Sequence, residues 1–182
     1  MEQNATKILL HACCAICSAH PINELKNSGY EVIVYFYNPN IFPLEEYNLR
    51  LEAQRQLCKH FDVKLIEPEY TPDEYLNLVK GYEHCPEKGD RCKLCFNLRL
   101  NATAEKAKEL GINLITTSIV ISPHKNFSTL SEIGKNISQQ HNIEYLSIDF
   151  KKKDGFLKTN KISKELKLYR QNYCGCKFSK RD

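Results

Sequence analysis

The chain has no tryptophan, so its interior must be filled by aliphatic residues together with ten tyrosines and eight phenylalanines. It also lacks any run close to the roughly 20 apolar residues that a membrane-spanning helix requires. The opening MEQNATKILLHACCAIC carries neither a basic segment nor a long apolar one. No secretory leader is expected, and the setting reads as cytoplasmic. Internal repeats and low-complexity tracts are missing too, which argues against a solenoid or a disordered chain. Glycine is scarce, at seven residues, and none falls in HACCAIC. A loop that cradles pyrophosphate needs glycine where backbone approaches the anion, so ATP chemistry is disfavoured at that position.

What the chain does have is cysteine. There are nine, and six of them form three tight pairs: Cys13-Cys14, Cys92-Lys-Leu-Cys95 and Cys174-Gly-Cys176. Cys17 extends the first pair into a cluster. An odd count cannot pair completely, and structural disulfides are rare in the cytosol. Clustered thiols in such a setting point to metal, iron–sulfur or redox chemistry. Charge is uneven as well. Residues 151–182 hold eleven basic against three acidic side chains, a net of +8, whereas the first 150 residues sum to −4. The basic segment suits either phosphate contacts or a solvated surface.

At 182 residues the chain suits a single domain. Strand-like runs alternate with helix-like ones. KILLH at 7–11, EVIVYFY at 31–37, 64–67, NLITTSIVI at 113–121 and EYLSID at 144–149 read as strands. Helices are predicted over 21–28 with Pro21 in the first turn, about 44–61, from Thr71 to about Gly81, after Cys92 up to Gly111, and around Phe127–Ile137. A basic helix through Ile162, Leu166 and Tyr169 should stop before Tyr173. The order βαβαβααβαβα predicts a three-layer α/β sandwich with a five-stranded, mainly parallel sheet. In such sheets ligands sit at the carboxyl ends of the strands. That edge receives Cys13, Cys14 and Cys17, and the loop before Cys92 and the segment with Cys174 and Cys176 can reach it.

Four thiolates from Cys13, Cys14, Cys92 and Cys95 can hold a [4Fe–4S] cluster or a tetrahedral zinc ion. They can also remain metal-free thiols. Adjacent cysteines favour the roomier cluster, where each sulfur can bind a different iron. Cys174 and Cys176 could close a strained, easily reduced disulfide or ligate a second metal. Cys17 can join either site, and Cys85 is a weaker loop candidate. Cys58 lies on an apolar helix face and reads as core. His11 reads as a satisfied structural histidine, and Asp90, near Cys92, as a candidate metal ligand or proton donor. Tyr37, Phe42, Tyr173 and Phe178 could stack on nucleic-acid bases, or simply fill the interior.

LLHACCAIC, YNPNIFPLEEYNLR, GDRCKLCFNLRL, TTSIVISPHKN and QNYCGCKFS, in that order over nearly the whole chain, resemble the epoxyqueuosine reductase QueH family. The resemblance implies the adenine-nucleotide α-hydrolase-like (HUP) fold with strand order 3-2-1-4-5. It implies two-electron removal of the epoxide oxygen from epoxyqueuosine in a tRNA anticodon loop, the last step of queuosine synthesis. It further implies a [4Fe–4S] cluster on Cys13, Cys14, Cys92 and Cys95, and a redox-active pair at Cys174 and Cys176. An additional mononuclear iron would draw on Cys17, Cys174, Cys176 or Asp90. Ile16 departs from the family's CCAPC pattern, but the three cysteines around it are kept. Electrons must come from an external donor, and a monomer is expected. The rivals are an iron–sulfur tRNA sulfurtransferase of the same fold, and a zinc-stabilised RNA-binding module whose basic tail carries the function.

Overall fold

The structure, a computed structural model, describes residues 4–180. Five parallel strands form one sheet: β1 (Lys7–His11), β2 (Glu31–Tyr35), β3 (Lys64–Ile66), β4 (Leu114–Thr117) and β5 (Glu144–Tyr145). Their spatial order is β3-β2-β1-β4-β5, the order that the family resemblance implies. Six helices accompany them: α1 (Ala15–Asn27), α2 (Leu44–Phe61), α3 (Pro72–Leu78), α4 (Asp90–Glu109), α5 (Phe127–His141) and α6 (Gly155–Glu165). Helix α1 packs against α2 and α6, while α4 packs against α3 and α5, giving the outer layers. Strand β1 lies between them, with Ile8, Leu9, Leu10 and His11 fully buried. Burial on both faces explains why the central strands read as continuous apolar runs rather than alternating ones. Among the described residues, no helix is long and apolar enough to cross a membrane.

Several boundaries differ from the sequence reading, each for a local reason. Strand β4 stops at Thr117 instead of Ile121, and Ser118–Ile121 form a 3-10 turn. The Thr117 side chain causes the change: its Oγ1 accepts from the Ile119 N–H at 3.2 Å and so caps the turn. Strand β5 ends at Tyr145 instead of Asp149. There the Thr116 hydroxyl donates to the Leu146 carbonyl at 2.8 Å, in place of a ladder N–H. Helix α1 starts six residues before Pro21, with the Cys14 sulfur accepting from the Cys17 N–H at 3.3 Å as its cap. Pro21 therefore sits inside the helix, and the Cys17 carbonyl has no helical donor. Helix α6 ends at Glu165, before Leu166 and Tyr169, because Lys167 takes a left-handed conformation and Leu168 N–H turns back to the Ser163 carbonyl.

Helix α6 can approach α1 only because its first residue is glycine. A Cβ on Gly155 would stand 1.6 Å from the Phe150 carbonyl oxygen and 3.1 Å from the His20 ring. Gly155→Ala is expected to lower the urea midpoint by an amount equivalent to about 1–3 kcal/mol or more, the usual cost of overpacking. An unchanged midpoint would mean that the contact yields freely.

Candidate active site and metal centre

The sheet order reverses between β1 and β4, and the chain leaves these neighbouring strands in opposite directions. The carboxyl edge at that point opens into a cleft of about 820 Å³. Cys13, Cys14, Cys92, Cys95, Cys174 and Cys176 all line it. Three remote segments are thus brought to one wall. All nine cysteines are free thiols, so Cys174 and Cys176 are not joined by a disulfide here.

The first thiol group forms at the end of β1. The Sγ atoms of Cys13, Cys14 and Cys17 lie within 4.8 Å of one another. The Cys13 N–H donates to Ser118 Oγ at 3.1 Å, and that hydroxyl lies 3.4 Å from the Cys13 sulfur. Gln171 Nε2 donates to the Cys14 sulfur at 2.7 Å. Hydrogen bonds from Cys14 and Cys17 hold the Cys13 thiol well below its usual range, while Cys14 is pushed up to about 12 and Cys17 is pushed well up. Within the trio, Cys13 is the sulfur whose thiolate is favoured, with Cys14 and Cys17 donating to it.

The second group forms where the C-terminal segment folds over α4. The Phe42 N–H donates to the Gly175 carbonyl at 2.8 Å, and Ile41 forms an antiparallel bridge with Cys176. Arg50 pins the same segment, donating to the Tyr173 carbonyl at 2.9 Å and to Glu46 at 2.7 Å. Cys176 and Cys95 share a buried cluster with Tyr75 and Val79. The Tyr75 hydroxyl stands 2.9 Å from the Cys176 sulfur. A hydrogen bond from Cys174 brings the Cys176 thiol down to about 5, assisted by Tyr75, and the same pairing drives Cys174 up. One partner is thus a thiolate and the other a thiol. Cys92 lies in the first turn of α4, where its sulfur accepts from the Lys88 N–H at 3.3 Å.

The remaining candidates divide clearly. The side chain of Asp90 is 70% exposed, pairs with Lys93 at 3.6 Å and is not on the cleft wall. Its carboxylate suits the positive end of α4 instead. Cys17 belongs to the trio but does not line the cleft. Cys85 does not line it either; its carbonyl accepts from Arg91 at 2.5 Å. Cys58 is buried in the core, where desolvation pushes its thiol up to about 11. His11 is fully buried, donates from Nε2 to the Tyr37 carbonyl at 2.9 Å and lies 3.0 Å from Thr117 Oγ1 through Nδ1. Both ring nitrogens are therefore taken, and the structural reading holds. Of the four aromatic candidates, Tyr173 lines the cleft, whereas Tyr37 is buried and bonds Glu74, Phe42 packs beside Tyr75, and Phe178 packs beneath Arg91.

Arg99, Tyr75, Gln171 and Ser118 are site residues that sequence reasoning missed. Arg99 had a usable signal: it lies one turn after Cys95 and two turns after Cys92, so all three share one face of α4. Nothing in the sequence pointed to Tyr75.

The pattern that defines the family described as epoxyqueuosine reductase QueH matches residues 8–182. A relative from Streptococcus pyogenes serotype M1, named epoxyqueuosine reductase QueH, is 39% identical over 184 residues, spanning 98% of this chain and 72% of its own. A relative of the same name from Helicobacter pylori is 38% identical over 179 residues, spanning 94% of this chain and 49% of its own. Among solved structures, the U34-tRNA thiolase NcsA of Methanococcus maripaludis, determined with its [4Fe–4S] cluster, superposes with a TM-score of 0.62. That match covers 98% of this chain and 63% of the thiolase at 15% identity, a likeness of fold.

Gly175 has φ of +100°, and a Cβ there would lie 2.9 Å from both Arg50 Nη1 and Ile41 Cγ1. Gly175→Ala should destabilise the protein by about 1–3 kcal/mol through backbone strain, measured by urea unfolding. Tyr75→Phe should raise the Cys176 titration from about 5, because the thiolate loses a donor. The pH dependence of Cys176 alkylation in metal-free protein reads this directly, and an unmoved profile would dismiss the hydroxyl.

Proposed function

The chain belongs to the epoxyqueuosine reductase QueH family, and we propose that it reduces epoxyqueuosine to queuosine in the anticodon loop of tRNA. The observation that carries the proposal is the meeting of CC, CxxC and CGC thiols in one cleft of a chain matched to this family over residues 8–182. Loss of the epoxide oxygen as water consumes two electrons and two protons, and leaves a double bond between the two former epoxide carbons. Closure of Cys174 and Cys176 to a disulfide supplies the two electrons; with Cys176 starting as the thiolate it releases one proton, from Cys174, and solvent supplies the second. An external reductant then reopens the pair.

The donor set fits the implied group: soft thiolate ligands in a recess of sufficient size favour iron–sulfur binding. Cys13, Cys14, Cys92 and Cys95 would hold a [4Fe–4S] cluster, which supplies one-electron transfer when bound. Cys17, beside Cys13 and Cys14, is left as a donor for an additional mononuclear iron, which would supply Lewis acidity. Within the redox pair, Cys176 starts as the thiolate and Cys174 keeps its proton. The Tyr75 hydroxyl is placed to hold or return a proton at Cys176 Sγ. The cleft wall also suits an RNA loop. Arg50, Lys88, Arg99 and Lys125 line it against a single carboxylate, Glu87, among the described residues. Tyr173 lines the cleft too, with Arg50 and Lys180 over its ring. The sulfurtransferase alternative would require ATP, for which HACCAIC provides no cradle.

Anaerobically purified protein should contain iron and sulfide, and should convert epoxyqueuosine-containing tRNA to queuosine with a strong reductant and without ATP. Zinc without iron, or no turnover by an iron-replete sample, would sink the proposal. Cys92→Ala should lose both the cluster's optical absorption and activity, whereas Cys58→Ala, altered only in the core, should keep both.

A further inference from the structure

We propose that Arg99 is the counter-cation of the thiolate centre and raises its reduction potential. The inference rests on the iron–sulfur reading given above. Arg99 is 6% exposed and lines the cleft. Its Nη1 donates to Asn38 Oδ1 at 3.3 Å, its guanidinium sits 5.7 Å from the centre of the Phe96 ring, and its Nε has no partner. Asn38 is itself held in place, donating from Nδ2 to the Ala12 carbonyl at 2.8 Å. The fold has thus built a support for the cation without supplying an anion.

The other buried arginines show the contrast. Arg50 is neutralised by Glu46 at 2.7 Å. Arg91 also lacks a carboxylate and a partner for its Nε, but it is solvated by the carbonyls of Tyr82, Glu83 and Cys85 and by Ser179. Arg99 has no carboxylate among the described residues and one neutral acceptor. A buried charge persists only when paired or well solvated. Arg99 lines the same cleft as Cys13, Cys95 and Cys174, one from each of the three thiol segments, and its charge acts on these thiols as well as on Tyr75 and His11. The missing anion is therefore the thiolate set, together with the net negative charge of whatever cluster the thiolates hold. A fixed cation beside such a centre stabilises the more negative, reduced state, and net charge is one of the recognised determinants of cluster potential. Cysteine-rich sites of this kind need their surplus negative charge balanced, and α4 provides both ligands and balance from a single face.

The test compares wild type, Arg99→Met and Arg99→Lys, each anaerobically loaded with iron and sulfide. Optical and EPR redox titration should place the Arg99→Met midpoint lower by at least a tenfold change in the one-electron equilibrium, about 59 mV. Arg99→Lys should recover part of the shift. In metal-free protein, Arg99→Met should melt below wild type and Arg99→Lys above Arg99→Met, because the buried thiolates lose their counter-charge in the first and keep one in the second. A loaded Arg99→Met midpoint equal to wild type, or metal-free Arg99→Met and Arg99→Lys proteins that melt no lower than wild type, overturns the inference. Wild-type protein that takes up no cluster overturns the functional reading instead, and the metal-free melting comparison then judges Arg99 alone.

Discussion

Everything at this site depends on β1 and β4 ending side by side. The two strands pair in parallel from Leu9 with Ile115 to His11 with Thr117, and the chain then turns away in both directions. The gap left at their carboxyl ends is a consequence of sheet topology, not of any particular side chain. What the side chains do is hold its edges. His11 and Thr117, paired at the last rung, bond to one another, and His11 also reaches the Tyr37 carbonyl beyond β2. Ser118, one residue further on, reaches back across the gap to Cys13. A polar clasp of three residues therefore fixes where the first thiol stands.

Against that clasp the cleft is assembled from parts with different mechanical backing. The first cysteines ride on the start of α1, and the CxxC pair rides on the long α4. The CGC pair has no helix or strand of its own and is held by the bridge to Ile41, by Arg50 and by Tyr75. Electrostatics follows the same division. Each short thiol group concentrates charge on one sulfur by donating to it from its neighbours. Buried Arg99, which has no carboxylate partner among the described residues, stands on the wall of the same cleft.

The order of elements was legible because buried parallel strands are apolar runs and amphipathic helices leave stripes. The same order permitted the cysteine pairs to converge without requiring it: β1 delivers Cys13 and Cys14 to the carboxyl edge, whereas the loop before Cys92 and the segment with Cys174 and Cys176 reach it only by folding back. Boundaries were harder to read. Thr117 ends its strand by capping a turn, and threonine in a strand run looks like any other β-branched residue. Cys14 starts α1 as a weak sulfur cap, a role without a sequence signature, so Pro21 drew the expected start six residues too late. Arg99 was overlooked because an arginine in a helix rich in lysine and arginine reads as surface, and only packing against Phe96 and Asn38 marks it as interior. Asp90 is near Cys92 along the chain, but its exposed carboxylate pairs with Lys93 and is not on the cleft wall.

The attachment of the CGC segment to Ile41, Phe42 and Arg50 has a consequence for how the protein is made. Residues 173–176 are synthesised after every strand of the sheet, while their anchors lie before the third. The sheet, α1 and α4 can settle first, with the cleft still open along one side. The final wall is added only when this segment leaves the ribosome and docks. Until then Cys13, Cys14, Cys92 and Cys95 face solvent without Tyr173, Cys174 and Cys176 in front of them. Docking of residues 173–176 then covers that side of the cleft.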